Sequence, residues 1–242
     1  MSEPILESAG HLLIDDFMDP EECRTLLGQI GDYRKHRDLL EINRPMKGRS
    51  LRYSVINGEE IRANLPSIWE LYRGAAKDLV NELSGTSLEP LLNTRAGVNV
   101  NVMPPGGSEY RWHYDRTAVT AILYLNRVEG GETELYPNYR ILLKRNQQHT
   151  RLQLTLDRFL RPTVVRRLFG NRKVVEPHPG RLVVMRANRC WHSVRSVEGS
   201  ADRINIILAY DAPGARFEVE EGLDSYLYTQ KTPSSRDPNY AP

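Results

Sequence analysis

The run Val98-Asn99-Val100-Asn101-Val102-Met103-Pro104-Pro105-Gly106-Gly107 is where the chain changes period. Valines recur at every second position and alternate with Asn99, Asn101 and Met103. An extended backbone therefore puts the valines on one face and the amides and the thioether on the other. The Pro-Pro-Gly-Gly that follows is turn chemistry. Downstream the same grammar repeats: residues 110–114, 118–125, 132–136, 173–175, 181–186, 191–194 and 203–210 each read as a short strand. Gly130-Gly131 and Pro179-Gly180 punctuate the series.

Upstream the period is helical. Residues 11–17 read as a strand. Asp19-Pro20-Glu21-Glu22 then opens a helix, with Asp19 as N-cap, Pro20 at the first helical position and Glu22 placed for a capping box. This helix is expected to run through Leu26, Leu27 and Ile30 and to fray near Gly31. A second helix, capped by Ser67, carries Ile68, Leu71, Tyr72, Ala75, Leu79 and Leu83 at helical spacing and ends at Gly85. Helices followed by many short strands predict an α+β, mainly β fold: a jelly-roll or double-stranded β-helix core with N-terminal helices packed on it. The expected organisation is one domain over 1–242. Residues 1–90 form the helical support, 91–215 the β core and 216–242 a loose C-terminal extension.

Residues 137–173 interrupt the β pattern. From Asn138 to Lys173 there are ten Lys/Arg and one acid, Asp157, a net of +9 that leaves −7 for the rest of a chain totalling +2. Leu152, Leu156, Phe159 and Leu160 recur at near-helical spacing until Pro162, so the segment reads as a basic, amphipathic helical insertion. Three roles fit it: a solvated elaboration, a lid or docking surface for an anionic or carrier-bound substrate, and a homodimer contact through Leu152, Leu156 and Phe159. Arg49 and Arg52, before the second helix, are further lid candidates.

Hydrophobic residues at 40% and charged residues at 26% are ordinary for a soluble globular chain of 242 residues, long enough to bury a sizeable core. A net charge of only +2 gives no field that argues for nucleic acid or membrane. Cys23 and Cys190 are too few for a disulfide framework and suit a reducing compartment. The start lacks a signal peptide's basic and apolar regions, and no apolar run approaches the ~20 residues of a membrane span. The expected location is cytoplasmic.

The chemistry-bearing motif is His113-Tyr114-Asp115. Residues two apart on a strand or at its end project to the same side. Two histidines and one carboxylate on one face of an octahedron hold oxygen-activating iron(II) and leave three positions open. The third ligand must come from a distant strand, and His192 sits in one. An H-x-D alone is common. Its surroundings are more specific: Leu123-Tyr124-Leu125-Asn126, Gly130-Gly131-Glu132-Thr133, Pro179-Gly180-Arg181-Leu182-Val183-Val184, His192 and then Arg203 on a last strand, in that order.

In this ordered set, over roughly residues 97 to 211, the chain resembles the prolyl-4-hydroxylase-like branch of the 2-oxoglutarate- and iron(II)-dependent oxygenases. Ile14-Asp15-Asp16-Phe17 and the helix after it also resemble that branch. The resemblance implies His113, Asp115 and His192 as metal ligands, with iron(II), 2-oxoglutarate and O2 as cofactor and co-substrates and ascorbate as a supporting reductant. It implies Arg203, eleven residues after His192, as the partner of the distal carboxylate of 2-oxoglutarate, with Asn205 beside it. Where the family often carries a tyrosine to help hold 2-oxoglutarate, this chain has Met103; Asn101 and Tyr110 are the candidates to replace it, and Tyr124 is a further one with core packing as its competing and favoured role.

Asp115 argues against the halogenating relatives, which lack the carboxylate ligand. Ala209, where nucleic-acid demethylases carry a second arginine, argues against base repair. Asn99, Arg116, Tyr136, Arg186 and Trp191 are candidates for contact with a small-molecule substrate, Trp191 with core packing as its competing role. The function expected is hydroxylation of an unactivated C–H of a small molecule. The alternatives are a peptidyl (prolyl-type) hydroxylase and a non-catalytic module with a vestigial metal site.

Overall fold

The computed structural model describes residues 4–46, 49–106, 110–143 and 150–215, without the side chains of 43–46, 49–51 and 110–111. Its first part runs α1 (Ile5–Ala9), β1 (His11–Ile14), α2 (Pro20–His36), β2 (Leu40–Met46), β3 (Arg49–Ile56), α3 (Gly58–Asn64), α4 (Pro66–Arg73), α5 (Ala75–Ser84), β4 (Glu89–Pro90) and α6 (Thr94–Gly97). Next come β5 (Val98–Met103), β6 (Tyr110–His113), β7 (Val119–Tyr124), β8 (Glu129–Gly130) and β9 (Thr133–Tyr136). The last part holds α7 (Arg151–Leu160), α8 (Thr163–Phe169), β10 (Lys173–Val175), β11 (Leu182–Met185), β12 (Trp191–Val194), β13 (Val197–Glu198) and β14 (Arg203–Asp211). The C-terminal extension from 216 lies outside the described residues.

The strands form a major sheet in the order β1-β11-β7-β14-β5-β3-β2, with β4 beside β14, and a minor sheet in the order β10-β9-β12-β6; every pair is antiparallel. This is the expected double-stranded β-helix core with helices on one face. The alternation that opened the sequence reading explains the layering. Val98, Val100 and Val102 of β5 and Ile206, Leu208 and Tyr210 of β14 pack with Leu26, Ile30, Ile68 and Val80 of the helices. The intervening residues of the same strands, Asn99, Asn101, Arg203 and Asn205, face the minor sheet and line a pocket between the two sheets.

The helical layer departs from the sequence reading in three places. The strand from His11 stops at Ile14, because Asp16 turns the chain at φ 57°. The capping box at Asp19 is present, but α2 continues through Gly31 to His36, its last turn carrying Arg34, Lys35 and His36, which complement the helix dipole. The second helix is not continuous. It breaks at Gly74 (φ −108°, ψ −109°) into α4 and α5, and α4 starts at Pro66, so Ser67 does not cap it. Strands β2 and β3 had no expectation: Pro45 and mixed polarity hide the alternation, and β2 is a sheet edge, where proline is tolerated. Among the described residues, no helix is long and apolar enough to cross a membrane.

One residue fastens the helices to the sheet. The Tyr72 hydroxyl on α4 donates to the Ala209 carbonyl on β14 (2.9 Å) and accepts from the Leu91 amide (2.9 Å). The Tyr210 hydroxyl returns a bond to the Tyr72 carbonyl at 2.8 Å. Tyr72→Phe strips both partners of a bond in a buried place, so it is expected to lower stability by about 1–3 kcal/mol. The loss should appear as a lower urea midpoint at unchanged slope; a wild-type midpoint would show that the hydroxyl holds nothing.

Candidate metal centre

Strands β6 and β12 lie side by side with His113 directly opposite His192. The register slips between His192 and Val194, the kind of irregularity that re-aims a side chain beside a site. Asp115 lies just past the end of β6, where its backbone N–H donates to the Ala187 carbonyl at 3.2 Å. The two imidazole rings are 4.1 Å apart. Nε2 of His113 is 3.3 Å, and Nε2 of His192 3.5 Å, from Oδ1 of Asp115. One ligand atom from each of the three lies within 4.8 Å of the others, so the set can close on a single ion.

The surroundings prepare these atoms. Nδ1 of His192 is 3.0 Å from the Cys190 carbonyl, a pure acceptor, so Nδ1 carries the proton and Nε2 keeps its lone pair for the pocket. Oδ2 of Asp115 accepts the Thr120 hydroxyl at 2.7 Å, leaving Oδ1 toward the histidines. Burial alone would raise the Asp115 carboxyl, but His192, His113 and the Thr120 hydroxyl outweigh it and hold it at about 2. Burial, then the neighbouring His113, pushes His192 down to about 4. At neutral pH His192 is therefore a neutral imidazole and Asp115 a carboxylate, with the His113 imidazole beside them. That is the donor set of a facial iron(II) site.

Arg203, 2% exposed, stands on the major-sheet wall of the same pocket. Its guanidinium lies 5.1 Å from the Tyr124 ring centre and donates to Thr133 Oγ1 (3.2 Å), to the Asn205 side-chain oxygen and to the Met103 sulfur. Tyr124 in turn donates its hydroxyl to Thr133 at 2.6 Å. Among the described residues Arg203 has no carboxylate partner, and its Nε and the Asn205 amide nitrogen are buried without a hydrogen-bond acceptor. Burial lowers its pKa, which measures the unfavourable desolvation of that charge.

The sequence-expected residues separate into two groups. His113, Asp115, His192, Arg203, Asn205, Asn99 and Asn101 all line the pocket, and Tyr124 supports Arg203 from beneath. Tyr110 begins β6, but its side chain lies outside the described residues. Tyr136 and Trp191 instead point outward from the minor sheet into an aromatic cluster with Tyr114 and Trp112, the core role that competed for Trp191. Arg186 is remote: it pairs with Glu7 at 2.7 Å and lines a different cavity, of about 370 Å³, beside α1. Arg116 is buried but not on the pocket wall. Of the lid candidates, Arg52 is exposed, and the side chain of Arg49 lies outside the described residues. Residues 137–143 and 150–173 contribute nothing to the pocket wall.

Two contributors carried no signal in the sequence reading. Tyr53 of β3 lines the pocket and packs with Met103, so a tyrosine enters from the neighbouring strand where Met103 stands in β5. Thr120, five residues after Asp115, was visible only as one position on the inward face of a strand.

A cavity between two antiparallel sheets carries a His-Asp-His cluster on one wall and a buried arginine on the other, an arrangement suited to a non-heme metal oxygenase. The family model of the 2OG-Fe(II) oxygenase superfamily matches residues 98–210. That match and the His-Asp-His cluster agree with the expected class, an oxidoreductase that uses iron(II) and 2-oxoglutarate. Among curated proteins no sequence relative matches. Solved structures share the fold at low identity. The carbocyclase SnoK from nogalamycin biosynthesis is 16% identical with a TM-score of 0.67, covering 90% of this chain and 86% of its own. The epimerase SnoN from the same biosynthesis is 16% identical at 0.65, over 86% and 81%. A Pseudomonas putida prolyl-4-hydroxylase is 17% identical at 0.52, over 86% and 96%.

Thr120→Val keeps the volume but leaves Asp115 Oδ2 without its donor. Metal affinity is expected to fall by roughly 10-fold or more, the usual effect of losing an outer hydrogen bond to a ligand. Titration of the metal-free protein with Mn(II) measures it, and an unchanged affinity would remove Thr120 from the site.

Proposed function

We propose that this chain is a dioxygenase that hydroxylates an unactivated C–H of a small molecule. His113, Asp115 and His192 are its iron ligands, and Arg203 anchors the distal carboxylate of 2-oxoglutarate. The observation that carries this reading is the buried Arg203 guanidinium. A buried cation without a carboxylate is costly unless an anion completes it, and this one shares a pocket with the candidate metal ligands. Bound at the triad, iron(II) would supply the oxygen activation, in the overall stoichiometry R–H + O2 + 2-oxoglutarate → R–OH + succinate + CO2.

The protein's own part is binding, orientation and exclusion of water. The planar Arg203 fork matches a carboxylate with two parallel charge-assisted bonds, and the unengaged Asn205 amide adds a donor beside it. Tyr53 and Met103 close the wall next to Arg203, while Ile122, Met185 and Ile207 keep it dry. The small-molecule reading is supported by a fold likeness that is greater to SnoK and SnoN than to the prolyl-4-hydroxylase. A structure of SnoN holds Fe3+, alpha ketoglutarate and nogalamycin RO.

Succinate release from 2-oxoglutarate, followed with and without candidate substrates, tests the proposal. His113→Ala and His192→Ala are expected to abolish it. Arg203→Gln is expected to raise the KM for 2-oxoglutarate by on the order of 100-fold, the loss of about 3 kcal/mol in charge-assisted bonding, while Mn(II) affinity stays near wild type. Full turnover in either histidine variant under controlled iron would overturn the ligand assignment.

A further inference from the structure

The basic insertion buries the face that its sequence pattern hides. In α7 the buried residues are Gln153, Asp157 and Leu160, whereas Leu152 and Phe159, each 69% exposed, point to solvent. A polar anchor explains this inversion. Asp157 receives Arg140 as a fork: Nε at 3.0 and 3.1 Å and an η nitrogen at 2.6 Å. Gln153 donates to the same carboxylate at 2.9 Å. Both members of the ion pair are nearly sealed from water, at 6% and 4% side-chain exposure.

What Arg140 touches beyond Asp157 is the metal centre's scaffolding. Its guanidinium lies 4.7 Å from the ring centre of Tyr114, the residue between His113 and Asp115. Its other η nitrogen donates to the Asn188 carbonyl (3.4 Å), and its backbone N–H donates to the Arg189 carbonyl (3.0 Å). That second segment leads through Cys190 and Trp191 into His192. Two more arginines of the insertion continue the contact: Arg161 lies 5.6 Å from the Trp191 ring centre and Arg166 5.1 Å from that of Trp112.

We propose that Arg140 and Asp157 are positioning residues for the metal centre: one guanidinium, fixed by one carboxylate, ties together from behind the two chain segments that carry the three ligands. This rests on the ligand assignment made above. The insertion thus acts on the site through the back of the minor sheet, without entering the pocket. Side chains that fix a ligand segment shape its donor geometry as hydrogen bonds behind a ligand do, and their loss is felt as metal affinity.

The probe is Co(II) added to the metal-free, full-length protein, read by affinity and by its d–d absorption spectrum. In Asp157→Asn the affinity is expected to fall by on the order of 10-fold and the spectrum to change shape. Because this variant leaves a buried guanidinium unmatched and can fail to fold, the double variant Arg140→Met/Asp157→Leu is its companion. Replacing a buried ion pair by apolar groups is often neutral or stabilising, so the double variant should stay folded yet still bind Co(II) more weakly. Tyr72→Phe, destabilised far from the site, should keep wild-type affinity and spectrum. Wild-type binding and spectrum in a folded double variant would overturn the positioning role alone. A wild-type protein that binds Co(II) no better than His113→Ala would overturn the ligand assignment beneath it.

Discussion

On β6 and β12, which carry the two candidate histidine ligands, neighbours in sequence face opposite sides of the minor sheet, and this two-residue period organises everything near the site. His113 and His192 point inward, while Trp112 and Trp191 point outward into an aromatic cluster with Tyr114 and Tyr136. The major sheet obeys the same rule, with Arg203 and Asn205 inward and Ile204 and Ile206 toward the helices. A slip of one residue in either sheet would exchange the polar pocket for its hydrophobic backing. The pocket's chemistry and the core's packing are therefore one constraint viewed from two faces.

That constraint explains how much could be read without coordinates. Alternation in residues 98–103 located β5 and showed that one of its faces would be partly polar. The order of short motifs led to His113, Asp115, His192 and Arg203, which the fold brings into one pocket. Asp19 and Glu22 read as a capping box because capping is local chemistry. What escaped depends on contacts far apart in sequence. Tyr53 reaches the pocket only because β3 joins the sheet beside β5. The burial of Gln153 and Asp157 follows from a partner 17 residues from Asp157, which hydrophobic periodicity does not register. The break at Gly74 falls within an uninterrupted helical pattern.

The insertion illustrates why a polar contact, not an apolar one, backs the ligand segments. A hydrophobic side chain in the place of Arg140 would fill volume, yet could slide against Tyr114 without penalty. The guanidinium offers a planar fork to Asp157, a separate donor to Asn188 and a face to the Tyr114 ring, each direction fixed by the others. Burying the pair has a desolvation penalty that its attraction only partly offsets, so fixed direction rather than stability is what it contributes.

Charge makes the last connection. Without ligands, the pocket holds one carboxylate, Asp115, and one guanidinium, Arg203, on opposite walls and not paired with each other. A divalent cation held by the triad would turn this balanced pocket strongly positive in a place where burial weakens screening. On the proposed function, the dianion 2-oxoglutarate would restore neutrality. Each ligand would therefore lower the electrostatic cost of the other, and by linkage the coupling would act equally in both directions. The wide separation of Asp115 and Arg203 in sequence, and their placement on different sheets, keep the two charges from neutralising one another and so keep both available for ligands.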